Sequence, residues 1–390
     1  MFFKNFKFYF KIYLIYLLTI GLFYLFQKYN NPSEYTISEW LINYQGGFTR
    51  RGLIGEIVFQ INKLVNLSFR EIILIFQILI CFLYFYLFYN LVKKLNINFI
   101  LGLAIFSPLF LSYPFSEVEV LARKEIFIFI FFLINIYFFF SNANLSFNKF
   151  LLSLSLFILV LVWEGVVFFI QYFLFILFMK NNFKINIRLI IDVIIILIPS
   201  LVAIYFVTNF KLSVEEMKIM CNSFNENCIN AQRFLNWPLA AARGEVSSQF
   251  QFSYFLRYFL IFIVGFFPLF LLFKFSITNN KNIFGKYFVF IIFLVLILLT
   301  LPIYFIAKDW PRWINITYTL TIISYLSCIK NNLIICENIQ FSNKIFSKKY
   351  LIVILFFAYS FGWSPKTLMN DDISSIPLYR KTVNIIKSII

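Results

Sequence analysis

Apolar residues predominate in long runs along nearly the whole 390-residue chain, with few polar residues inside the runs and polar segments between them. A half-buried soluble helix would instead carry its apolar residues on one face, at a spacing of about 3.6 residues. The apolar core of a bilayer is about 30 Å thick and takes about 20 helical residues, whose backbone groups pair within the helix. The pattern therefore predicts an all-α fold, a polytopic bundle of transmembrane helices.

Eleven runs qualify as spans. They cover residues 8–27, 71–92, 97–113, 125–141, 149–163, 165–179, 188–209, 255–274, 287–307, 314–329 and 350–363. The apolar stretch 150–179 is too long for one helix and short for two. We divide it at Trp163–Gly165, because glycine permits a turn and a lone Glu164 is costly at mid-bilayer.

The first apolar run follows Lys4, Lys7 and Lys11, as in a signal peptide, but no small-x-small cleavage site precedes Asn30. We therefore expect an uncleaved signal anchor, with a cytoplasmic amino terminus. Eleven spans then place the carboxyl terminus outside.

The chain carries 34 Lys and Arg against 17 Asp and Glu, a formal net charge of +17. The cations punctuate the apolar runs and do not cluster on a soluble domain, so we predict no nucleic-acid partner. In this threading every acidic residue except Asp192 and Glu337 lies outside. Acidic residues contribute little to orientation, so the asymmetry does not follow from the positive-inside rule itself. We therefore expect the functional residues in the outer loops.

We expect a single integral membrane domain over the whole chain. Its main outer segments are the first outer loop (28–70), the longest later outer loop (210–254) and the carboxyl-terminal tail (364–390). Cys221 and Cys228 lie in the second of these, in a compartment where disulfides persist. The intervening residues leave enough chain for a disulfide between them, and two free thiols are the alternative.

The chain contains no histidine, which excludes Ser-His-Asp and Cys-His catalysis and HExxH zinc sites. Carboxylates, arginines and lysines must therefore carry any chemistry. No residue pattern demands a metal, so we assign no metal ligand and no certain cofactor, although a divalent metal could assist.

The first outer loop concentrates candidate residues. Four of the eleven glycines lie within 46–55, around Arg50 and Arg51. Two adjacent guanidinium groups suit phosphate oxygens, and glycines allow a backbone to approach a ligand. Apolar residues at helical spacing over 53–65 predict an amphipathic helix in the outer interface. The alternative is an ordinary loop whose arginines meet lipid headgroups.

Other outer loops add candidates of the same kind. The segment 117–125 holds Arg123 and Lys124 among acids, and its alternative role is a self-satisfied ion-pair cluster. In the segment 308–313, Trp310 and Trp313 bracket Arg312, which suits either an aromatic belt or a sugar ring. The candidates from all outer loops are Glu34, Glu39, Trp40, Arg50, Arg51, Arg123, Lys124, Glu164, Arg243, Asp309, Trp310 and Arg312.

This organisation resembles the GT-C superfamily of membrane glycosyltransferases, which use polyprenyl-phosphate-linked sugars or are structurally akin to O-antigen polymerases. The resemblance rests on many spans, an acidic residue soon after the first span, an interfacial helix in that loop, and arginines for the lipid-linked phosphate. Glu34 and Glu39 match the acidic position, although the usual adjacent acidic pair is absent.

The resemblance implies a transferase at the non-cytoplasmic face of a bacterial inner membrane, in surface polysaccharide or glycolipid synthesis. Its partners would be a polyprenyl-phosphate-linked sugar, a glycan or lipid acceptor, and membrane lipids. Glu39, with Glu34 as the alternative, would be the catalytic base, while Arg50, Arg51, Arg123 and Arg312 would bind phosphate. Glu164, Asp309, Trp310, Trp40, Lys124 and Arg243 would contact substrate.

Two other functions remain open. A transporter or flippase for an anionic lipid or solute usually carries charges or helix breaks near mid-bilayer, and often internal repeats. No repeat is visible, and four prolines break the spans: Pro108, Pro199, Pro268 and Pro302. A non-catalytic assembly subunit would instead pair its outer charges among themselves.

Overall fold

The computed structural model describes residues 6–31, 34–141, 144–224, 231, 235, 238–279, 285–336 and 349–389, without the side chains of residues 34–36 and 349. Its elements are nearly all α-helical. The helices are α1 (Phe6–Asn30), α2 (Glu34–Leu41), α3 (Gly52–Leu64), α4 (Phe69–Val92), α5 (Phe99–Ile105), α6 (Tyr113–Ser116), α7 (Ile126–Phe139), α8 (Leu145–Val162), α9 (Ile170–Lys180), α10 (Ile187–Asn209), α11 (Val214–Asn222), α12 (Leu239–Gln249), α13 (Phe252–Lys274), α14 (Phe288–Leu298), α15 (Trp310–Lys330), α16 (Lys349–Phe361) and α17 (Pro377–Ile389). Short 3₁₀ helices cover Glu164–Phe169 and Leu301–Phe305.

Six helical segments of the described chain are long and apolar enough to cross a membrane, which makes this an integral membrane protein. They are Phe6–Asn30, Phe69–Val92, Leu145–Val162, Ile187–Asn209, Phe252–Lys274 and Phe288–Phe305. Each coincides with a span that the sequence predicts. Pro199 and Pro268 lie inside two of these helices without ending them.

The other five predicted spans have different local structures. Residues 126–139 and 349–361 form helices shorter than a full span. Residues 164–180 begin as a 3₁₀ helix and continue as α9, and α15 extends on both sides of 314–329. Within 97–113 the helix α5 ends at Ile105 and turns follow. The count of eleven spans therefore stays a prediction.

The chain divides into two compact units, each built from discontinuous segments. The first unit comprises Met1–Gly21, Phe88–Leu121 and Arg243–Ile390, and the second comprises Leu22–Leu87 and Ala122–Ala242.

In the second unit, α8 packs along α10 through polar as well as apolar contacts. Lys149 Nζ lies 2.7 Å from Asp192 Oδ2, and Ser153 Oγ donates a hydrogen bond to the carbonyl of Ile196 (3.0 Å). A charge inside an apolar bundle is costly unless it is paired, so the Lys149–Asp192 contact offsets the burial of both groups.

The second unit also holds the helix that the apolar pattern predicts in the first outer loop, observed as α3. It packs against α2 at Gly55, where an added Cβ would lie 2.0 Å from the carbonyl oxygen of Ile42. Only glycine allows the two backbones to come this close. The interfacial position of α3 in the membrane stays a prediction.

In the first unit, α15 is the central helix. Its residues from Trp310 to Cys328 are buried on all sides, and its polar side chains bond to neighbouring backbone. Tyr318 Oη donates to the carbonyl of Ala104 (2.9 Å), and Asn315 Nδ2 donates to that of Leu109 (2.8 Å). Such bonds satisfy polar groups in an apolar interior.

Two small antiparallel sheets complete the first unit. Strand β1 (Ser276–Thr278) pairs with β2 (Ile334–Cys336), with Ile277 opposite Ile335. Strand β3 (Trp363–Pro365) pairs with β4 (Ile373–Ser375), within the predicted carboxyl-terminal tail. The sequence analysis predicts no strands.

Candidate functional site

The amino-terminal end of α3 carries the arginine on which the candidate site is built. Arg51 is the N-cap residue of α3 and has a left-handed backbone, with φ of 62°. A residue with a side chain adopts this conformation rarely, and it persists where surrounding contacts hold it. Arg51 makes such contacts through both its backbone and its guanidinium.

The guanidinium of Arg51 joins two carboxylates. Its Nε donates to Glu164 Oε2 at 2.8 Å, and its Nη2 donates to Glu164 Oε1, also at 2.8 Å. This forked arrangement is the strong, directional form of an arginine–carboxylate pair. The remaining nitrogen, Nη1, donates to Glu39 Oε1 at 3.1 Å. Arg51 therefore fixes Glu39 and Glu164 on one guanidinium plane.

Glu39 lies on α2 and is buried, with a side-chain exposure of 1%. Its second oxygen, Oε2, accepts a hydrogen bond from Arg123 Nη2 at 3.0 Å. Arg123 Nε lies 3.9 Å from Glu125 Oε2. Each carboxylate oxygen of Glu39 is thus occupied by an arginine. A role of Glu39 as base stays a prediction, and this burial favours a positioning role.

Arg50 and Glu164 form the accessible side of the site. Arg50 Nη1 lies 3.5 Å from Glu164 Oε1, and the two side chains are 25% and 24% exposed. Arg50 Nη2 donates to the carbonyl of Leu235 at 3.4 Å. An incoming anion would meet Arg50 before it could reach the more buried Arg51.

Lys124 lies on the buried side of the site. Its side chain is fully buried, and Nζ donates a hydrogen bond to the carbonyl of Arg51 at 2.7 Å. This bond supports the left-handed backbone at Arg51. Ala122, two residues before Lys124, also has a positive φ, 53°. The two backbone segments that this hydrogen bond joins therefore both adopt uncommon conformations.

Burial and neighbouring charges shift the titration of the site. Burial alone would raise the pKa of the Glu164 carboxyl, but the charges of Arg51 and Arg50 and the hydrogen bonds from Arg51 outweigh it. They lower this pKa to about 2. Burial lowers the pKa of Lys124 to about 7, against the opposing charge of Glu39. At neutral pH Glu164 is therefore an anion, while Lys124 is close to half protonated.

These six residues, which we call the Arg51 cluster, are Glu39, Arg50, Arg51, Arg123, Lys124 and Glu164. The cluster has four basic groups, against three carboxylates when the adjoining Glu125 is counted. Arginines at a helix amino terminus favour an anion, because the backbone N–H groups and the guanidinium groups attract the same charge. Within the described residues, no three His, Cys, Asp or Glu side chains gather to hold a metal ion.

Two further candidates belong to this region, Trp40 and Glu34. The surroundings of Trp40 do not suit its predicted role, and the side chain of Glu34 is not among those that the structure describes. Trp40 is buried, its ring lies 6.0 Å from that of Phe127, and its indole N–H has no acceptor among the described residues. A sugar cannot stack on a ring that is enclosed in this way. Glu34 begins α2, but its side chain lies outside the described part of the structure.

Four further candidates belong to the first unit, namely Arg312, Asp309, Trp310 and Arg243. Arg312 is buried beside Asp309, with Nη1 3.3 Å from Asp309 Oδ2, and its guanidinium lies 5.0 Å from the centre of the Trp313 ring. Trp310 is 7% exposed, and its indole N–H donates to the carbonyl of Tyr304 at 2.9 Å. A substrate-binding role of Trp310 stays a prediction.

Arg243 lies exposed on α12. On the same helix, Glu245 pairs with Lys308, whose Nζ lies 2.6 Å from Glu245 Oε1. The sequence analysis did not select either partner of this pair.

The loop that presents Arg50 and Arg51 is held by a residue that the sequence analysis missed. Glu56 Oε2 accepts a hydrogen bond from the backbone N–H of Tyr44 at 3.0 Å, and Gln45 Nε2 donates to Glu56 Oε1 at 3.0 Å. An acid in the first turns of a predicted helix was the available signal, because such residues often bond to the preceding loop.

Cys221, at the end of α11, is disulfide-bonded. Cys228, its expected partner, lies outside the described residues. Cys81, Cys328 and Cys336 are free thiols.

Comparison of the chain with protein-family models, with curated proteins and with solved structures gave no significant match.

Proposed function

We propose that the protein is a membrane glycosyltransferase that takes a polyprenyl-phosphate-linked sugar at the non-cytoplasmic face. The observation that carries this proposal is the Arg51 cluster, in which a partly exposed arginine and a partly exposed carboxylate lie 3.5 Å apart. A transfer from a lipid phosphate needs both groups, one for the departing phosphate and one for the acceptor hydroxyl.

In this proposal Arg50 binds the phosphate and Arg51 supports it from the buried side. Glu164 faces the acceptor hydroxyl, and Glu39 positions Arg51 and Arg123. The acceptor oxygen attacks the anomeric carbon, the bond from that carbon to the phosphate oxygen breaks, and the acceptor proton passes to a carboxylate. Glu34 remains the second candidate for that proton.

The low pKa of Glu164 makes it a weak base while two arginines surround it. A bound phosphate would compete for Arg50, because both anions need the same donors. Withdrawal of Arg50 from Glu164 removes one of the charges that lower its pKa, so the carboxylate becomes more basic. Phosphate binding would thereby raise the pKa of Glu164 and make it a better proton acceptor.

The test uses the purified protein in proteoliposomes, with a panel of radiolabelled polyprenyl-phosphate sugars and extracted cell-envelope glycolipids as acceptors. Glu164→Gln should lower turnover roughly 10² -fold or more, because the amide cannot accept the proton. Arg50→Lys should also be harmful, since the charge survives but the fork does not. Arg188→Lys, the same change at an exposed position outside both proposed sites, is the matched control and should leave transfer unchanged.

Two specific observations favour other functions. The helix break at Trp163, next to Glu164, is typical of discontinuous helices at transporter binding sites. The mutual pairing of Glu39, Arg51 and Arg123 is what a non-catalytic assembly subunit would require. In the same proteoliposomes, lipid translocation without sugar transfer would support a transporter for an anionic lipid, and neither activity would support the assembly subunit.

A further inference from the structure

The helix α17 near the carboxyl terminus divides sharply into an apolar and a basic side. Its apolar arc consists of Leu378, Tyr379, Val383, Ile385, Ile386 and Ile389. Its opposite arc consists of Arg380, Lys381, Asn384, Lys387 and Ser388, and the helix contains no acidic residue. A helix of this kind is expected to lie at a boundary between an apolar and an anionic phase.

Among the described residues, the first two turns of α17 are attached to the rest of the first unit. Pro377 and Leu378 are buried. The hydroxyl of Tyr16, on α1, lies 2.7 Å from the hydroxyl of Thr382 and donates to the carbonyl of Leu378 at 3.2 Å. The helix is therefore attached by its amino-terminal half to a membrane-spanning helix.

Three residues of the apolar arc are exposed among the described residues, whereas Val383 and Ile385 are half-buried. Tyr379 is 65% exposed, Ile386 is 50% exposed and Ile389 is 74% exposed. Leaving several large apolar side chains in water is unfavourable, at about 25 cal/mol for each Å² of apolar surface. The arc needs a covering partner.

The surroundings of Tyr16 identify that partner as lipid. On α1, Ile12 and Ile15 lie beside Tyr16 and are 48% and 63% exposed, on a helix long and apolar enough to span the membrane. Lipid therefore lies beside the part of α1 to which α17 is attached. A second copy of the chain is the alternative partner, and the crosslinking test below distinguishes it from lipid.

We propose that α17 is an interfacial anchor that binds anionic phospholipid. Its apolar arc enters the acyl region, and Arg380 and Lys387 lie against the lipid phosphates, since both are exposed on the polar side. This proposal is independent of the catalytic one, because it rests only on α17 and its attachment to α1.

Photo-crosslinking of the full-length protein in liposomes tests the anchor. A benzophenone amino acid replaces Ile386 or Ile389 on the apolar arc, or Asn384 or Ser388 on the polar arc as matched controls. We expect phospholipid adducts from the first pair and none from the second, as measured by mass spectrometry. A dimer-mass adduct from the apolar positions, or no difference between the two arcs, would overturn the proposal.

The charge requirement is tested with the same crosslinker at Ile386. In liposomes that contain phosphatidylglycerol, Arg380→Gln and Lys387→Gln should each lower the partitioning of the helix roughly fivefold, and the adduct yield with it. In pure phosphatidylcholine the same substitutions should have no effect, and Asn384→Gln is the uncharged control in both. An equal yield in all variants and both lipids would overturn the electrostatic part of the anchor.

Discussion

Arg51 shows why a single residue type is needed at the centre of the candidate site. Its Nε, Nη1 and Nη2 atoms all donate, to two different carboxylates. A lysine has one ammonium group on a flexible stem, so it could not hold Glu39 and Glu164 in one plane. The left-handed backbone of Arg51 adds a conformational cost that these bonds must offset.

Glu164→Gln should destabilise the protein even if no substrate is present. The amide removes the negative charge that faces Arg50 and Arg51, and hydrogen bonds to charged groups contribute roughly 1.5–3 kcal/mol each. We expect the free energy of unfolding in detergent to fall by about 2 kcal/mol. The same change at the exposed Glu215 should alter it by less than about 0.5 kcal/mol. Equal effects at both positions would contradict the role of the pair.

Lys124 should make stability depend on pH between about 7 and its unfolded pKa near 10.5. Its pKa is lower in the folded state, so the unfolded chain binds more protons in this range and stability rises with pH. Below pH 7 the lysine is protonated in both states, and the burial cost is fully present. Lys124→Met should abolish this rise in thermal stability, whereas Lys387→Met, at an exposed lysine, should retain it. An unchanged profile in Lys124→Met would exclude Lys124 as its source.

At the scale of elements, local chemistry predicted some of the helix boundaries, although Pro199 and Pro268 lie inside helices that continue past them. The break at Trp163–Gly165 was predicted from a glycine and a lone acid, and α8 ends at Val162. In the predicted span 97–113, Pro108 was noted as a helix breaker, and the helix ends before it at Ile105. Proline removes a backbone donor and disfavours helical geometry at the preceding residue.

Strands β1 and β2 were not predicted because their pairing joins segments distant in sequence. Strands β1 and β2 belong to segments separated by α14 and α15, and no alternation within three residues can indicate such a pairing. Likewise, the glycines near Arg50 were interpreted as room for a ligand. The structure uses Gly46 and Gly55 for close backbone contacts with Glu216 and Ile42.

Gly55→Ala should disrupt the contact between α2 and α3. The added Cβ would lie 2.0 Å from the backbone oxygen of Ile42, which cannot yield without moving the helix. We expect destabilisation of about 1–3 kcal/mol, measured by thermal unfolding in detergent. Gly244→Ala is the matched control: it lies in the helix α12 with open space around it, and should stabilise by up to about 1 kcal/mol. The same sign of change for both would be evidence against the close contact.

At the scale of the whole molecule, the apolar runs predicted an integral membrane protein with nearly all-α structure, because lipid leaves the chain few alternatives. The partners within the Arg51 cluster could not be predicted, since any of several outer arginines suited each acid. Residues Glu39, Arg51, Arg123 and Glu164 were selected from charge in three separate outer segments. Only the packing of α2, α3 and the region around Lys124 decided which of them meet.

The proposed topology places the amino terminus inside and the carboxyl terminus outside. Reporter fusions at Asn181 and Lys366 should therefore report opposite compartments, cytoplasmic for the first and non-cytoplasmic for the second. The same compartment for both would show that the number of spans between them is wrong, whereas the two compartments exchanged would point to an error before Asn181, first of all in the region 163–165.

The length of chain between Arg51 and Glu164 bears on how the protein is made. Arg51 finds Glu39 only 12 positions earlier, but Glu164 is 113 positions later. When a nascent chain has emerged as far as Arg123, the cluster contains Arg50, Arg51 and Arg123 but only one buried acid, Glu39. Such an excess of cations is costly in an apolar setting. We expect ribosome-bound chains that end before Glu164 to remain open to protease in the segment 46–51. Protection should begin only when the 3₁₀ helix that carries Glu164 has left the ribosome. Assembly of the Arg51 cluster would then be a late step in biosynthesis.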